Sequence, residues 1–112
     1  MSRLNGRKIA ILATHGFEQS ELEQPLKALR EAGAEVEVIA PEAGEIKGWD
    51  KDDWGKTIAV DKTVDELSNC EGYDALLIPG GQINPDLLRA NPRAVAIVRE
   101  FNFSGKPIAA IC

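Results

Sequence analysis

The stretch Lys8-Ile-Ala-Ile-Leu-Ala-Thr14 decides the fold class of this chain. It is a short apolar run with β-branched residues and no polar alternation, the pattern of a strand that is covered on both faces in a parallel sheet. A second such run, Ala75-Leu-Leu-Ile78, lies in the middle of the chain, and a third, Pro107-Ile-Ala-Ala-Ile-Cys112, lies at its end. Two covered strands and a third apolar strand at the end of the chain predict an α/β fold with a mostly parallel sheet.

A helix and a second strand follow the first run and complete a βαβ unit. The helix is predicted from leucines that recur at i, i+4 and i+7 and form one apolar stripe: Leu22, Leu26 and Leu29. A capping box of Ser20 and Glu23 predicts where this helix starts, and Gly33 predicts where it ends. The strand covers residues 35–40, so the unit fills about 33 residues, the size of a right-handed crossover.

Local signals organise the remaining chain. Glycine-punctuated residues 41–62 predict a small β-hairpin, and Thr63 with Glu66 forms a second capping box over a short helix. The Asn-Pro pairs at 84–85 and 91–92 each place a capping side chain before a proline, which predicts two further helix starts. The expected architecture is an open, mostly parallel sheet sandwiched by helices in the flavodoxin-like manner, with a small β-hairpin insert.

The composition is that of one acidic globular domain. The chain has 112 residues, 44% hydrophobic and 28% charged, which is enough apolar content for the core of a single domain. Its 13 basic and 18 acidic residues give a net charge of −5, which argues against a surface that neutralises nucleic-acid phosphates. No apolar run approaches the ~20 residues of a membrane span, and neither end resembles a targeting segment. Two cysteines in different contexts suit a reducing cytoplasm, where we expect the protein to act.

Three chemically distinctive segments follow strands of the predicted sheet. His15-Gly16-Phe17-Glu18 comes after the first strand, Pro79-Gly80-Gly81 comes after the middle strand, and Cys112 ends the last one. Ligands of open α/β sheets gather beyond the carboxyl ends of the strands, so we expect a carboxylate, two glycine amides and a thiol on one rim. These groups are an acid or base, anion-stabilising donors and a nucleophile, the inventory of an acyl-transfer or carbonyl-addition site.

The sequence resembles the PfpI branch of the Parkinsonism-associated deglycase superfamily, which has the class I glutamine amidotransferase-like fold. The resemblance covers essentially the whole chain and rests on three motifs, GFEQSEL at 16–22, DALLIPGG at 74–81 and KPIAAIC at 106–112. Each motif alone is a weak pattern, but the three in this order and at these spacings are specific.

This resemblance implies a cysteine-dependent hydrolase or lyase of the deglycase or glutathione-independent glyoxalase type. Its substrates would be methylglyoxal-like small carbonyls or glycated proteins, and no cofactor is implied. By the same likeness Cys112 is the nucleophile on a strained elbow and Glu18 is a protonated carboxyl that hydrogen-bonds its sulfur. Gly81, beside Gly80, is a backbone donor to the oxyanion. Relatives assemble as homo-oligomers, so we expect one here.

Each of these residues also has a plain structural interpretation. Cys112 fits an inert buried thiol, Glu18 fits an acid favoured by the helix dipole, and the Gly80-Gly81 pair fits a tight turn. His15 is the only histidine. Because the family places its histidine elsewhere, we expect His15 on the rim, near substrate, and not in a Cys-His pair. No spacing of cysteine, histidine and acids indicates a metal site.

Two alternatives to carbonyl chemistry stay open. An intracellular cysteine peptidase would need a base that protonates an amine leaving group. A non-enzymatic redox or stress sensor would use oxidation of Cys112 to a sulfinate stabilised by Glu18. Trp49 and Trp54, in the acidic insert, indicate either a subunit contact or packing of the hairpin onto the sheet.

The position of Cys112 bears on the domain organisation. Family members continue past this cysteine with a histidine and a helix, and a nucleophile elbow needs chain on both sides of the nucleophile. We therefore expect residues 1–112 to be the N-terminal part of a longer single α/β domain of roughly 170–190 residues, truncated at the elbow.

Overall fold

A central parallel sheet organises the chain. The computed structural model describes residues 5–50, 53–67, 70–80 and 89–110. In chain order its elements are β1 (Lys8–Leu12), β2 (Phe17–Glu18), α1 (Gln19–Glu31), β3 (Glu35–Ala40), β4 (Glu45–Asp50), β5 (Asp53–Ala59), β6 (Lys62–Thr63), a 3-10 turn (Val64–Glu66), β7 (Ala75–Ile78), α2 (Pro92–Phe103) and β8 (Ile108–Ala110). The five-stranded sheet has the order β6-β3-β1-β7-β8, and its pairings are parallel, so the predicted open α/β sheet is confirmed.

β1 lies in the middle of this sheet and is covered on both faces. Ile11 and Leu12 are adjacent in the strand and point to opposite faces, and they are 0% and 1% exposed. Ile11 shares a core cluster with Leu22 of α1, whereas Leu12 shares a second cluster with Phe101 of α2. β1 is therefore covered by α1 on one face of the sheet and by α2 on the other, as its uninterrupted apolar sequence predicts.

A second, three-stranded sheet of order β2-β4-β5 contains the predicted hairpin. β4 and β5 are antiparallel, and β4 also pairs in parallel with β2, a two-residue strand that the sequence pattern does not predict. Phe17 of β2 is fully buried, and a Cβ on Gly48 would lie 2.8 Å from its ring. Glycine is thus required at position 48, where the register of β4 against β5 also shifts.

The start of α1 differs from the prediction. The N-cap residue is Glu18 and the helix begins at Gln19, so the prediction that Ser20 caps this helix was wrong. The cause is a tertiary contact, because the Glu18 N–H donates to the carbonyl of Gly80 at 2.8 Å. That bond satisfies one of the backbone donors that a capping side chain would otherwise serve.

The other described helix ends follow the sequence signals. Gly33 has a φ of 95° just after α1, Thr63 and Glu66 form a capping box, and the Asn91 side chain accepts a backbone N–H of α2 at 3.0 Å. The helix start predicted at Asn84 lies outside the described residues. Across the described ranges, no helix is long and apolar enough to cross a membrane.

A polar cluster around Glu37 of β3 joins four segments of the chain. Its carboxylate accepts a hydrogen bond from the Tyr73 hydroxyl and lies 3.3 Å from Lys62 Nζ and 3.6 Å from Lys8 Nζ. Burial raises the pKa of Glu37, but the hydrogen bonds from Tyr73 and Lys62 and the charges of both ammonium groups outweigh burial and hold that pKa below its usual value. Burial and the Glu37 carboxylate together raise the pKa of Tyr73.

Neutralising Glu37 should weaken the fold more at neutral pH than in acid. A carboxylate with a depressed folded-state pKa contributes stability above its unfolded pKa, and that contribution is lost as the pH falls through the folded-state value. We expect Glu37→Gln to lower the free energy of unfolding by about 1–2 kcal/mol at neutral pH. The difference from wild type should shrink below the ordinary carboxyl pKa of 4.5.

Urea unfolding at several pH values measures this effect. The matched control is Glu31→Gln, because Glu31 is an exposed carboxylate on α1. A Glu37→Gln difference that stays constant from neutral pH into acid would contradict the assigned role of the charge.

Candidate active site

Two turns meet at the carboxyl edge of the parallel sheet. β1 is followed by residues 13–16, which include His15, and the neighbouring strand β7 is followed by Pro79 and Gly80. Because β1 and β7 are adjacent and parallel, both turns leave the sheet at the same edge. The segments after these two strands therefore lie where ligands of open α/β sheets bind.

The start of α1 forms hydrogen bonds with both backbone polar groups of Gly80, its carbonyl and its N–H. The Glu18 N–H donates to the Gly80 carbonyl at 2.8 Å, and the Gly80 N–H donates to Glu21 Oε1 at 2.9 Å. The second bond is charge-assisted, and Glu21 also lies in the first turn of the helix, where the dipole favours negative charge. The helix start and the turn after β7 therefore form one hydrogen-bonded unit.

Glu21 is the site residue that the sequence prediction missed. The motif at 16–22 contains two carboxylates three residues apart, of which only Glu18 was assigned a role. A spacing of i, i+3 at a helix start places both on one side, and this spacing could have pointed to Glu21. The Glu18 side chain is half-buried and does not cap the helix. The structure thus brings Glu18, Glu21 and Gly80 together.

The hydrogen bond with Glu21 leaves the Gly80 N–H unsuited to bind an oxyanion. The sequence prediction names the amides of both Gly80 and Gly81, but the Gly80 N–H already donates to the Glu21 carboxylate. Gly81 and Cys112 lie outside the described residues. The approach of Glu18 to the sulfur of Cys112, and the donor role of Gly81, therefore stay predictions.

His15 is exposed and held on the hairpin side of the site. Its Nδ1 accepts the Lys47 N–H at 3.1 Å, and the next residue, Gly16, donates its N–H to the Lys47 carbonyl at 2.8 Å. Two backbone bonds to one residue of β4 thus fix both the turn and the imidazole ring. His15 lies at the carboxyl edge of the sheet, and its place near substrate stays a prediction.

Cys70 lies apart from this site, whereas Trp49 of β4 pairs with Glu18. Cys70 is a buried free thiol whose Sγ lies 3.4 Å from Ser104 Oγ, under α2. Trp49 and Trp54 pack edge to face in the hairpin at 5.2 Å between ring centres. Among the described residues, no three His, Cys, Asp or Glu side chains are grouped to hold a metal ion.

Comparison with known proteins decides the family. The sequence model of the DJ-1/PfpI family matches residues 7–112. The chain belongs to the DJ-1/PfpI family. It is 43% identical over 106 residues to protein/nucleic acid deglycase 2 of Escherichia coli, covering 95% of this chain and 59% of that protein. It is 42% identical over 107 residues to a Bacillus subtilis protein with cysteine protease in its name, covering 95% and 60%.

The fold agrees with this family. A crystal structure of a DJ-1 superfamily protein from Salmonella typhimurium superposes with a TM-score of 0.82 at 30% identity, covering 95% of this chain and 55% of that chain. The resemblance noted in the sequence is therefore confirmed. The chain spans about 60% of the length of the curated DJ-1/PfpI relatives described above.

In this DJ-1/PfpI chain the hairpin also holds the first residue of α1. Gln19 Oε1 accepts the Lys56 N–H of β5 at 2.7 Å. Gly55 leaves the space for this contact, because a Cβ at that position would lie 1.9 Å from the same oxygen. The start of α1 is therefore held from two sides, by the turn after β7 and by the hairpin.

Placing a methyl group at position 55 should destabilise the protein through Gln19. We expect Gly55→Ala to lower the free energy of unfolding by about 0.5–1.5 kcal/mol, because the end of the Gln19 side chain must move and lose its hydrogen bond with Lys56. Gln19→Ala removes the colliding atom, so the double variant should recover part of the loss, and the two changes should not be additive. Urea unfolding of the four proteins measures this, with Lys56→Ala on the same strand as control. Additive losses would contradict the contact.

Proposed function

We propose that this protein is a cysteine-dependent enzyme that acts on reactive carbonyls, of the deglycase or glutathione-independent glyoxalase type. The proposal rests on the hydrogen bonds that Glu18 and Glu21 form with the backbone of Gly80 at the carboxyl edge of the sheet. Membership of the DJ-1/PfpI family and a relative named as a deglycase support it. Because the chain spans only part of its relatives' length, the activity and substrates of the whole protein belong to the proposal.

In the proposed reaction the Cys112 thiolate attacks the aldehyde carbon of methylglyoxal. A C–S bond forms, the π electrons of the carbonyl move to its oxygen, and the Gly81 N–H donates to that oxyanion. After protonation to the hemithioacetal, a carboxylate moves the proton from the former aldehyde carbon to the ketone carbon through an enediol. The resulting thioester is hydrolysed by water to lactate and the free thiol, without an external oxidant or reductant.

The two carboxylates take different tasks in this proposal. Glu21 accepts the Gly80 N–H, so it positions the turn that presents the next amide, that of Gly81. Glu18 is half-buried and is not used as a helix cap, so its carboxyl group is the one assigned to proton transfer. In a hemiaminal adduct on an amine, the thiolate displaces the amine: the C–S bond forms as the C–N bond breaks, and the amine leaves with a proton from the Glu18 carboxyl group or from water.

A cysteine peptidase is the second candidate, favoured by the name of the Bacillus subtilis relative. Peptide hydrolysis needs a group that protonates the departing amine, commonly a histidine. The single histidine of this chain, His15, uses its Nδ1 to accept the Lys47 N–H. Addition of a thiolate to an aldehyde needs no group that protonates an amine, so we rank the carbonyl enzyme first.

We further propose that the protein acts in the cytoplasm as a homo-oligomer. Phe103 is 94% exposed and Trp54 is 42% exposed, and large apolar side chains of this kind are commonly covered in subunit interfaces. The free thiol of Cys70 agrees with a reducing compartment. Light scattering of the purified protein tests the oligomer, and a mass equal to one chain would overturn it.

Lactate production from methylglyoxal tests the enzyme. We expect turnover by the wild type, loss of turnover in Cys112→Ser, and a kcat lowered about 10²–10⁴-fold in Glu18→Gln. Glu21→Gln keeps an oxygen that can accept the Gly80 N–H, so its loss should be smaller than that of Glu18→Gln. The matched control is Glu31→Gln on the exposed face of α1.

The same proteins separate the alternatives. Cleavage of a peptide by the wild type without dicarbonyl turnover would replace this proposal with the peptidase. Absence of both activities, with ready oxidation of Cys112 seen by mass spectrometry, would replace it with the redox sensor. Unchanged turnover in both Glu18→Gln and Glu21→Gln would refute the assignment of the two carboxylates.

A further inference from the structure

The three-stranded sheet places Glu18 in a row with two tryptophans. Glu18 of β2 is the register partner of Trp49 of β4, and Trp49 is the register partner of Trp54 of β5. Neighbouring strands lie about 4.8 Å apart, and register partners point to the same face of a sheet. The side chains of Glu18, Trp49 and Trp54 therefore lie side by side on one face, in the strand order β2-β4-β5.

The opposite face of this sheet is the buried one. Phe17 and Gly48 are also register partners, and Phe17 belongs to the core cluster that contains Leu22 of α1. Glu18 has an extended backbone, and successive side chains of an extended strand point to opposite faces. Glu18 therefore points away from the core that buries Phe17. Glu18 and Trp49 are both half-buried, which agrees with a face that is partly covered.

Glu18 has a neighbour on each side of its strand. β2 is an edge strand of this sheet, so β4 lies on one side only. The Glu18 N–H donates to the Gly80 carbonyl, so the turn after β7 lies on the other side. Trp49 is therefore the side chain that limits how far the Glu18 carboxyl group can turn away from Gly80.

The Trp49 ring is itself held in place. Trp54 packs against it edge to face, with 5.2 Å between ring centres. The Lys47 ammonium group lies 5.8 Å from the centre of the Trp54 ring, a cation–π contact that also holds Trp54. Because β4 lies between β2 and β5, Trp54 is on the side of Trp49 away from Glu18. Trp54 thus prevents Trp49 from moving away from the carboxyl group.

Resting on the proposed function, we propose that Trp49 is a positioning residue for Glu18. It restricts the Glu18 side chain to conformations directed at the Gly80 turn, beside which the sequence prediction places Cys112. Proton transfer needs a carboxyl oxygen within hydrogen-bond reach of the substrate. A glutamate side chain that rotates freely would have to lose this conformational freedom in each turnover. Trp49 reduces that loss because it orders the side chain beforehand.

Tryptophan fluorescence tests the pairing without turnover. The chain has two tryptophans, so Trp54→Phe leaves Trp49 as the single emitter and keeps an aromatic partner for it. A protonated carboxyl group in contact with an indole ring quenches its emission more than a carboxylate does. We therefore expect Glu18→Gln to change the Trp49 emission and to remove most of its response to pH. The control is Asp50→Asn, an exposed carboxylate next to Trp49 in the chain, which should leave that response in place.

The kinetics of methylglyoxal conversion test the positioning role. Trp49→Ala should lower kcat about 5–20-fold, because the freed Glu18 side chain must be ordered in each turnover, and should change KM less than about twofold. Trp49→Phe should restore most of kcat, because phenylalanine also fills the space beside Glu18. In the Glu18→Gln background Trp49→Ala should cause no further loss, since the two residues act through one carboxyl group. Asp50→Asn should keep the wild-type kcat.

The outcomes separate this inference from the proposed function. A Trp49 emission that Glu18→Gln leaves unchanged, or an unchanged kcat in Trp49→Ala, would overturn the positioning role even if methylglyoxal is converted. A loss in Trp49→Ala that is equal with and without Glu18 would also overturn it, because the tryptophan would then act on the fold alone. If the wild type does not convert methylglyoxal but Trp49 emission depends on Glu18, the pairing is supported and only the reaction needs replacing.

Discussion

The candidate site depends on two hydrogen bonds to the backbone of Gly80. The Glu18 N–H donates to the Gly80 carbonyl, and the Gly80 N–H donates to the Glu21 carboxylate. These bonds connect the first turn of α1 to the end of β7, segments 59 positions apart in the chain. A buried peptide group must have its polar atoms satisfied, so this pairing is part of the fold as well as of the site. The hydrogen bond from the Glu18 N–H to the Gly80 carbonyl explains why α1 begins at Gln19 and not after Ser20.

The sequence predicts well the strands that are marked by apolar runs and the helix ends that are marked by capping residues. β1 and β7 were predicted from uninterrupted apolar runs, and the end of α1 from Gly33, whose φ is 95°. The start of α2 was predicted from Asn91 before a proline, and the structure confirms the cap. In each case the physical cause lies within a few residues or in the periodicity of one strand.

The features that the sequence does not predict depend on contacts between distant segments. β2 exists because Phe17 and Glu18 pair with Gly48 and Trp49, about thirty positions later. The role of Glu21 likewise depends on a partner in another layer of the fold. A motif identifies such residues as chemically suitable, but only the packed sheet specifies which carboxylate reaches which amide.

Phe17 and Gln19 each rest against a glycine on a different strand of the hairpin, Gly48 on β4 and Gly55 on β5. A slip of β4 by one residue would bring Lys47 or Trp49 against the Phe17 ring, and both side chains are too large for that space. Gly48 and Gly55 therefore determine how the hairpin aligns with Phe17 and Gln19. The hairpin alignment therefore also determines where the His15 imidazole lies relative to the start of α1, because Lys47 of β4 binds His15 and Lys56 of β5 binds Gln19.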